Sequence, residues 1–310
     1  MTKPIRAEIL LATYNGERFI RQQIDSILAQ DDERWHLTVS DDGSTDATPQ
    51  ILDEYAAAYP EKITRYLSGR RFGNARDHFF HLMENCTAEY MFFCDQDDVW
   101  YPHKVRVTLD ALLAAEQKHG SHTPVLAFTD QTPVDIDLHP ITDSLMRYQQ
   151  QDASVIDYRR ILFQNIVTGC VTAINRPLSL LAARCADPSS TIMHDWWLGA
   201  VAAKFGQIVY LDESTMAYRQ HGKNSVGAKD VGSLSHVLDK LSHLDKLKKT
   251  ILQKKEQAAV MADTYAAELS AEDMAFLRQF AKPHSGLAFY LKHRGFFTGI
   301  FRFAGTALLG

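Results

Sequence analysis

Three carboxylates stand within four residues in the segment Asp95–Asp98, directly after the apolar run Tyr90–Cys94. Carboxylates this close repel one another and raise one another's pKa unless a cation lies among them. Their oxygens suit Mg²⁺ or Mn²⁺, ions that commonly bind one or two carboxylates together with substrate phosphates. The cluster therefore predicts a divalent metal site. The alternative is a solvated acidic turn that caps the helix beginning near Pro102.

Two further polar segments follow apolar runs nearer the N-terminus. Thr13–Gly16 comes after the run Glu8–Ala12, and Asp41–Ser44 comes after Leu37–Ser40. In an open parallel sheet, ligands bind beyond the carboxyl ends of the strands, so these segments and the acidic cluster predict one shared crevice. The sequence has neither a Gly-x-Gly-x-x-Gly segment after the first run nor a Gly-Lys-Ser/Thr loop. Dinucleotide-binding and P-loop proteins need those loops to bind phosphate, so both classes are disfavoured.

Strand and helix patterns alternate five times over the first 130 residues. The predicted strands are Glu8–Ala12, Leu37–Ser40, Ile63–Leu67, Tyr90–Cys94 and Val125–Thr129. The predicted helices are Arg18–Gln30, one capped by Ser44–Asp46 that ends near Ala58, Ala75–Asn85 and one from Pro102 to about Lys118. This alternation is typical of an α/β fold with a Rossmann-like, mostly parallel sheet flanked by helices on both faces.

The alternation loosens after Asp130. A helix near 158–163, an apolar stretch over 165–174, a helix opened by His194 and Asp195, and two strands over 208–211 and 215–218 are expected. Helical patterns dominate from about Gly232. We predict a catalytic domain over residues 1–228 and a helical C-terminal region over residues 229–310.

The composition of the 310 residues excludes several classes of protein. The chain is 45% hydrophobic and 23% charged, which is typical of globular proteins and excludes collagen-like and disordered chains. With 33 basic and 38 acidic residues, it lacks the basic excess of a dedicated nucleic-acid binder, and we expect no nucleic-acid partner. Four cysteines without a CxxC pair, and no apolar window of 18 residues, favour a cytoplasmic protein without a spanning helix.

Three of these motifs together resemble one enzyme family. Ile9–Gly16, Ser40–Asp46 and Asp95–Asp98 are similar to the inverting family-2 glycosyltransferases of the GT-A fold, and the resemblance extends over about residues 5–227. Asp95–Trp100 and Tyr218–Gly222 resemble the bacterial branch that includes rhamnosyltransferases building surface polysaccharides. The resemblance implies a nucleotide-sugar donor, a carbohydrate acceptor and a divalent ion.

The resemblance also implies which residues bind the donor. Tyr14 is expected to stack on uracil or thymine, and Asp42 to accept the imide N–H of that base, which cytosine lacks. Arg76 contacts the diphosphate in this interpretation; pairing with Asp77 is the alternative. The other expected nucleotide-sugar contacts are Thr13, Gln96, Asp95 and Asp98, of which Asp95 binds ribose or a metal-bound water and Asp98 orients the donor sugar.

The metal ligands implied by the resemblance are Asp97, as the principal carboxylate, with Asp95 and His221. His221 lies in a polar loop after a strand and is expected either to ligate the metal or to close over the diphosphate. A histidine in such a loop can also have neither role.

The acceptor side is assigned from the segment that opens with His194. The family carries a Glu-Asp pair at this place, so Asp195 is the predicted general base, and His194 positions it or meets the acceptor. Trp196 and Trp197 suit a sugar acceptor, and Gly169 and Cys170 resemble the loop that faces it. The alternative for Asp195 is an ordinary helix N-cap.

The predicted reaction is a single inverting displacement that is metal-dependent. A sugar, first of all L-rhamnose from dTDP-rhamnose, passes from a UDP- or dTDP-linked donor to a hydroxyl of a growing, lipid-linked bacterial surface polysaccharide. A sugar nucleotidyltransferase and a non-catalytic sugar-binding or scaffold module are the alternatives.

The C-terminus combines phenylalanines with basic residues. Residues 286–310 contain Phe289, Phe296, Phe297, Phe301 and Phe303, with Lys292, Arg294 and Arg302 and no acid. Such a pattern predicts an interfacial helix on the anionic inner leaflet of the cell membrane. The alternative is that these phenylalanines pack onto the catalytic domain.

Overall fold

The computed structural model describes residues 7–153, 156–221 and 244–296. The strands are β1 (Ala7–Thr13), β2 (Trp35–Asp41), β3 (Ile63–Tyr66), β4 (Tyr90–Cys94), β5 (Val99–Trp100), β6 (Val125–Val134), β7 (Thr172–Asn175) and β8 (Gln207–Arg219). The helices are α1 (Ile20–Leu28), α2 (Thr48–Ala58), α3 (Ala75–Asn85), α4 (Lys104–His119), α5 (Leu145–Tyr148), α6 (Tyr158–Phe163), α7 (Arg176–Ala182), α8 (His194–Phe205), α9 (Leu244–Thr264), α10 (Ala271–Ala281) and α11 (Leu287–Lys292).

The eight strands form one sheet in the order β3-β2-β1-β4-β7-β6-β8-β5. Strands β3, β2, β1 and β4 run parallel to one another, and β6 is parallel to β8. Strand β7 is antiparallel to both β4 and β6, and β5 is antiparallel to β8. The predicted α/β fold with a mostly parallel sheet, flanked by helices and followed by a helical C-terminal region, is confirmed.

The sheet differs from the predicted alternation at two places. Strand β7 lies within the stretch read only as apolar, and all four of its residues are buried, so no alternation of polar and apolar side chains marked it. The two strands expected over 208–211 and 215–218 are one continuous strand, β8. Its middle residues bulge where β8 pairs with β6, which is why the apolar pattern breaks there.

Helix α2 begins at Thr48, four residues after the serine that was expected to open its cap. The polar side chains before the helix are used to hold the loop after β1 instead. Ser44 Oγ accepts from the amide of Asn15 at 2.7 Å, and Thr48 Oγ1 accepts from the amide of Gly16 at 2.8 Å. The end of β1 and the start of α2 are thereby fixed to each other.

The described C-terminal helices share a hydrophobic core with the sheet and its helices. Tyr265 of α9 is fully buried and stacks on Trp197 of α8, with ring centroids 5.9 Å apart. Phe280 of α10 packs edge-on against Phe163 of α6 at 4.7 Å. Phe289 is 8% exposed within the same cluster, so it packs as the alternative interpretation proposed.

Other predictions for this region fall outside the described residues. Phe297, Phe301, Phe303 and the expected domain boundary near residue 228 are among them. Across the described ranges, none of the helices has both the length and the apolar character needed to cross a bilayer.

Candidate active site

The three polar segments singled out in the sequence meet at one edge of the sheet. Thr13 at the end of β1 pairs with Asp41 at the end of β2, and Leu11 of β1 pairs with Cys94 at the end of β4. Because these strands are parallel, the residues that follow them emerge side by side. We call this edge, with the segment Asp95–Asp98 at its centre, the acidic crevice.

Gln96 holds the loop after β1 in place. Its Oε1 accepts from Thr13 Oγ1 at 2.5 Å and from the Tyr14 amide at 2.9 Å, while its Nε2 donates to the Tyr14 carbonyl at 3.1 Å. A Cβ on Gly16 would lie 2.4 Å from Gln96 Oε1, so a larger residue there would displace the Gln96 side chain from these bonds. Gln96 and the buried Thr13 are bonded to each other and fix the loop that carries Tyr14, and their contact with a donor stays a prediction.

Tyr14 is exposed in this loop, with 42% of its surface accessible. The guanidinium of Arg71 lies over its ring, 4.8 Å from the centroid. A half-exposed aromatic ring beside a guanidinium is a good surface for stacking a planar base. Arg71 was not among the predicted site residues, and its one signal in the sequence is its place in a glycine-rich loop before α3.

Asp42 is 5% exposed and holds the turn that precedes α3. Its two oxygens accept from the amides of Phe72 and Gly73, the second at 2.7 Å. Gly73 has a φ of 74°, a conformation that favours glycine. The structure thus gives Asp42 a partner that the sequence did not reveal, and its contact with a base stays a prediction.

The carboxylates of the acidic crevice are close together and poorly compensated. One ligand atom each of Asp95, Asp98 and Cys170 lies within 4.8 Å of the others. Burial, with the neighbouring Asp97 and Asp195, raises the pKa of Asp95 to about 7. Burial and the same neighbouring cluster raise the pKa of Asp98 well above its usual range.

Asp98 is the buried carboxylate of the crevice. It is 1% exposed, and its Oδ1 accepts from the backbone amide of Arg219 at 3.0 Å. Its Oδ2 is buried without a hydrogen-bond partner. The expectation that Asp98 orients the donor sugar is wrong, because the side chain has no exposed face to offer one.

Asp97 and His221 form the accessible part of the crevice. His221 Nε2 lies 2.6 Å from Asp97 Oδ2, and the imidazole stacks on Phe19 with centroids 5.4 Å apart. The donor atoms that converge at the crevice are those of Asp95, Asp98 and Cys170, and the two carboxylates among them suit a divalent cation. Asp95 is the expected ligand within this group, and metal binding by Asp97 and His221 stays a prediction.

Cys170 and Trp197 do not face an acceptor, in contrast to the prediction. Cys170 is 2% exposed, and its thiol points to Gln131 Oε1 at 3.4 Å on the side of the acidic crevice. Trp197 is fully buried, and its Nε1 donates to the Ala182 carbonyl at 3.1 Å within the core. Trp197 was assigned to the acceptor because it lies beside a carboxylate in the sequence, and Cys170 because Gly169 and Cys170 resemble the loop that faces the acceptor.

Asp195 opens helix α8 and is held by two backbone amides. Its Oδ2 accepts from the Gly169 amide at 2.9 Å, and its Oδ1 accepts from the Trp196 amide at 2.6 Å. Burial raises the pKa of Asp195 to about 7, against the opposing effect of these two bonds. A carboxylate with such a pKa is poised to accept a proton near neutral pH.

His194 packs behind this arrangement as a neutral side chain. Its ring lies between Phe79 and Phe93, with centroids 4.3 and 5.0 Å away, and neither ring nitrogen has a hydrogen-bond partner. Burial lowers its pKa to about 3. A Cβ on Gly169 would come within 2.8 Å of His194 Nε2. His194 therefore supports the glycine loop and does not meet an acceptor.

Trp196 is the remaining aromatic side chain at the predicted acceptor site. It is partly exposed, its Nε1 donates to the Ile161 carbonyl at 2.5 Å, and the ammonium of Lys254 lies 5.6 Å from its ring centroid. The indole is thus fixed beside Asp195, and its contact with a sugar stays a prediction.

Arg76 makes no contact with the crevice carboxylates. Its Nε donates to Asp77 Oδ1 at 2.7 Å, the pairing that the sequence left as the alternative. Its Nη1 donates to the carbonyls of Ser189 and Thr191 at 2.6 and 2.9 Å. The guanidinium therefore links α3 to the segment before Asp195 instead of pointing at a diphosphate.

Comparisons with known proteins agree with this geometry. The family model described as Glycosyl transferase family 2 matches residues 8–133. The dTDP-rhamnosyl transferase RfbG of Shigella flexneri is 31% identical over 227 residues, which cover 70% of this chain and 74% of that protein. An uncharacterized protein of Mycobacterium bovis is 28% identical over 216 residues, which cover 69% of this chain and 58% of that protein.

A solved structure supports the fold. The structure of S. aureus TarS 1-349 in complex with UDP-GlcNAc superposes with a TM-score of 0.55, covering 98% of this chain and 90% of that one at 13% sequence identity. At this identity the likeness concerns the arrangement of strands and helices alone.

Proposed function

Because the chain belongs to glycosyl transferase family 2 and is a glycosyltransferase of the GT-A fold, we propose that it is an inverting, metal-dependent enzyme that uses a UDP- or dTDP-linked sugar. Membership of this family excludes the two alternatives, a sugar nucleotidyltransferase and a non-catalytic sugar-binding or scaffold module. The observation that carries the proposal is Asp195, a carboxylate of pKa about 7 fixed beside the acidic crevice.

The donor is bound at the ends of β1 and β2. Tyr14, with Arg71 over its ring, stacks on the pyrimidine, and Asp42 at the neighbouring strand end accepts the imide N–H. We take dTDP-L-rhamnose as the first donor to test, because the Shigella relative is a dTDP-rhamnosyl transferase.

The acidic crevice holds the diphosphate end of the donor. Asp97, Asp95 and His221 are the residues that would hold Mg²⁺ or Mn²⁺. When bound, the ion supplies positive charge that stabilises the departing nucleoside diphosphate. The raised pKa of Asp95 means that the site must lose a proton before its carboxylates carry full charge.

The acceptor is activated by Asp195. Its carboxylate removes the proton from the acceptor hydroxyl while that oxygen attacks the anomeric carbon from the face opposite the leaving group. The amides of Gly169 and Trp196 hold the carboxylate in one orientation. A single displacement inverts the anomeric configuration, and the step requires no second protein nucleophile.

The acceptor we propose is a lipid-linked carbohydrate at the inner face of the cell membrane. Leu252 of α9 and Leu291 of α11 are 54% and 50% exposed, and exposed cations flank them at Lys248, Lys249 and Lys292. Exposed leucines among lysines suit the boundary between anionic headgroups and acyl chains. These exposed residues support peripheral binding of the enzyme beside its acceptor.

The function is tested by supplying a panel of nucleotide sugars with Mn²⁺ and measuring the nucleotide released. We expect dTDP or UDP release, with dTDP-rhamnose the best donor, and a faster rate when a lipid-linked glycan is added. Preference for a GDP-sugar would reject the donor assignment. Production of pyrophosphate in place of a nucleoside diphosphate would reject sugar transfer.

A further inference from the structure

The chain that leads into Asp195 has little regular structure of its own. We call residues 187–193 the base segment; it contains the short 3₁₀ turn Pro188–Ser190 and ends where α8 begins. Asp187 caps that turn through the amide of Ser189 at 3.0 Å. The position of the catalytic carboxylate therefore depends on what else holds this segment.

Two side chains from distant parts of the chain hold it. Arg76 donates to the carbonyls of Ser189 and Thr191 from one side, at 2.6 and 2.9 Å. Gln257 Oε1 accepts from the amide of Ile192 from the other side, at 3.0 Å. Together the two side chains make three hydrogen bonds to the backbone of the base segment, at Ser189, Thr191 and Ile192.

Gln257 lies on α9, in the C-terminal helical region. The side chain is fully buried, and its bond to the Ile192 amide is partly buried. A partly buried backbone N–H that loses this acceptor is left to find water or another partner, which favours movement of the segment. Helix α9 is thus attached to the active site through a specific contact, in addition to its apolar packing.

Arg76 lies at the start of α3, next to the turn that Asp42 holds. The amides of Phe72 and Gly73 bond to Asp42, and Asn74 then caps α3 by accepting from the amide of Asp77 at 2.9 Å. Arg76 follows two residues after the cap. The helix start therefore connects the end of β2, where we place the donor base, to the base segment.

We propose that Arg76 and Gln257 are positioning residues that fix Asp195 for proton transfer, which makes helix α9 a working part of the active site. The proposal rests on the proposed function, in which Asp195 is the general base. Neither side chain touches the carboxylate; both act through the backbone of the base segment.

The expected consequence is a loss of turnover without a loss of donor binding. A displacement of a catalytic group by about 1 Å can lower the rate roughly hundredfold. Loosening the base segment also admits water to Asp195, whose raised pKa comes from burial. The pKa of Asp195 then falls, and the acidic limb of the rate profile moves to lower pH.

Other ionisable groups near Asp195 are left in place by these changes. They are Asp95 at the end of β4, His194 on the same helix and Cys170 after the glycine that bonds Asp195. His194 is neutral throughout the range of interest because its pKa is about 3. Asp95, whose pKa is also about 7, titrates in the same range, so the shift of the acidic limb is assigned to Asp195 by titrating its carboxyl carbon directly.

The test compares Arg76→Met and Gln257→Leu with matched variants. Gln257→Glu keeps an acceptor oxygen for the Ile192 amide and serves as the rescue. Arg106→Met removes an equally charged side chain from a surface pair with Asp31 at 2.9 Å, and serves as the control for losing an arginine. Each variant is measured for kcat, for dTDP affinity by calorimetry and for the pH dependence of kcat.

We expect Arg76→Met and Gln257→Leu to lower kcat roughly ten- to hundredfold, with unchanged dTDP affinity and the acidic limb moved to lower pH. Gln257→Glu and Arg106→Met should match the original protein. Unchanged kcat in folded Arg76→Met and Gln257→Leu would overturn the proposal, as would a fall in kcat with the acidic limb in place.

A titration of the Asp195 carboxyl carbon by NMR tests the positioning of Asp195 without relying on enzyme activity, so its result is independent of the proposed function. The Asp195→Asn variant assigns the signal. If no nucleotide sugar is turned over, the proposed function fails, yet a lowered pKa of Asp195 in Gln257→Leu still supports the contact. An unchanged pKa in both variants would contradict it whether or not the protein transfers sugar.

Discussion

Asp98 and Asp273 are both almost completely buried, at 1% and 5% exposure, but the two regions treat the carboxylate in opposite ways. In the acidic crevice, burial raises the pKa of Asp98 well above its usual range, and one oxygen has no partner. In the junction between the C-terminal helices and the sheet domain, hydrogen-bond donors overcome burial and hold the pKa of Asp273 well below its usual range. Those donors are Lys204, Ser270, Tyr158 and Arg159.

The difference separates a structural carboxylate from functional ones. The junction contains its own cations, so its charge is satisfied in the folded chain and ties α10 to α6 and α8. The crevice leaves negative charge that a bound cation can neutralise. The same side-chain chemistry is therefore expected to respond oppositely to substitution in the two regions.

Asp195→Asn gives the largest expected effect. The variant keeps the size of the side chain but removes the proton acceptor, so kcat should fall roughly 10²–10⁴-fold while dTDP binding survives. Transfer rates and calorimetry on the same preparation check this. His194→Ala is the comparison and should cost less. If it is the one that loses activity while Asp195→Asn retains it, the base has been assigned to the wrong residue.

Asp273→Asn should destabilise the junction between the C-terminal helices and the sheet domain. The change leaves Lys204 and Arg159 without their buried partner, which we expect to lower the free energy of unfolding by about 3 kcal/mol. Urea denaturation measures the loss, and dTDP affinity below the transition should be unchanged. A variant as stable as the original would show that the junction carboxylate has no structural role.

Asp95→Asn should raise the free energy of unfolding of the metal-free protein, whereas Asp273→Asn lowers it. The pKa of Asp95 is about 7 in the folded state, above its ordinary value of 3.8. The folded state therefore loses stability as the pH rises from about 4 through 7, because Asp95 must give up its proton in a buried site. The neutral variant avoids that loss. Its advantage in stability should be absent near pH 4, grow up to about pH 7 and stay constant above, reaching roughly 1–3 kcal/mol. A difference independent of pH would contradict the raised pKa.

The smallest expected effect concerns the outer surface of the same C-terminal region. Replacing Lys292 and Arg294 with alanine removes two exposed cations and should weaken binding to vesicles containing phosphatidylglycerol by about 1 kcal/mol per charge. Co-sedimentation measures this, with neutral phosphatidylcholine vesicles as the control. Equal binding to both kinds of vesicle would remove the electrostatic part of the membrane proposal.

The sequence predicted the regions where local pattern decides structure. The predicted helix Ala75–Asn85 has the observed bounds of α3, and polar residues directly after buried strands located the crevice. Strand β7 could not be predicted, because all four of its residues are buried and no alternation of polar and apolar side chains marks it.

Contacts between residues far apart in the chain could not be predicted from the sequence either. Arg76 and Ser189 are 113 residues apart, and nothing local to either indicates that they meet. Trp197 was misread because a tryptophan beside a carboxylate looks the same in sequence whether it faces a ligand or the core. For His194 the prediction left two roles open, and the sequence did not indicate that its ring lies between aromatic side chains without a hydrogen-bond partner.

The most direct measurement of the account is dTDP binding by calorimetry with and without Mn²⁺, in the original protein and in Asp97→Ala. Asp97 is the accessible carboxylate of the crevice and lies 2.6 Å from His221. We predict that Mn²⁺ tightens dTDP binding strongly in the original protein and not in the variant, while both remain folded. Equally tight binding in EDTA, or an undiminished effect of Mn²⁺ in Asp97→Ala, would contradict the central claim that the uncompensated crevice binds the nucleotide through a divalent ion.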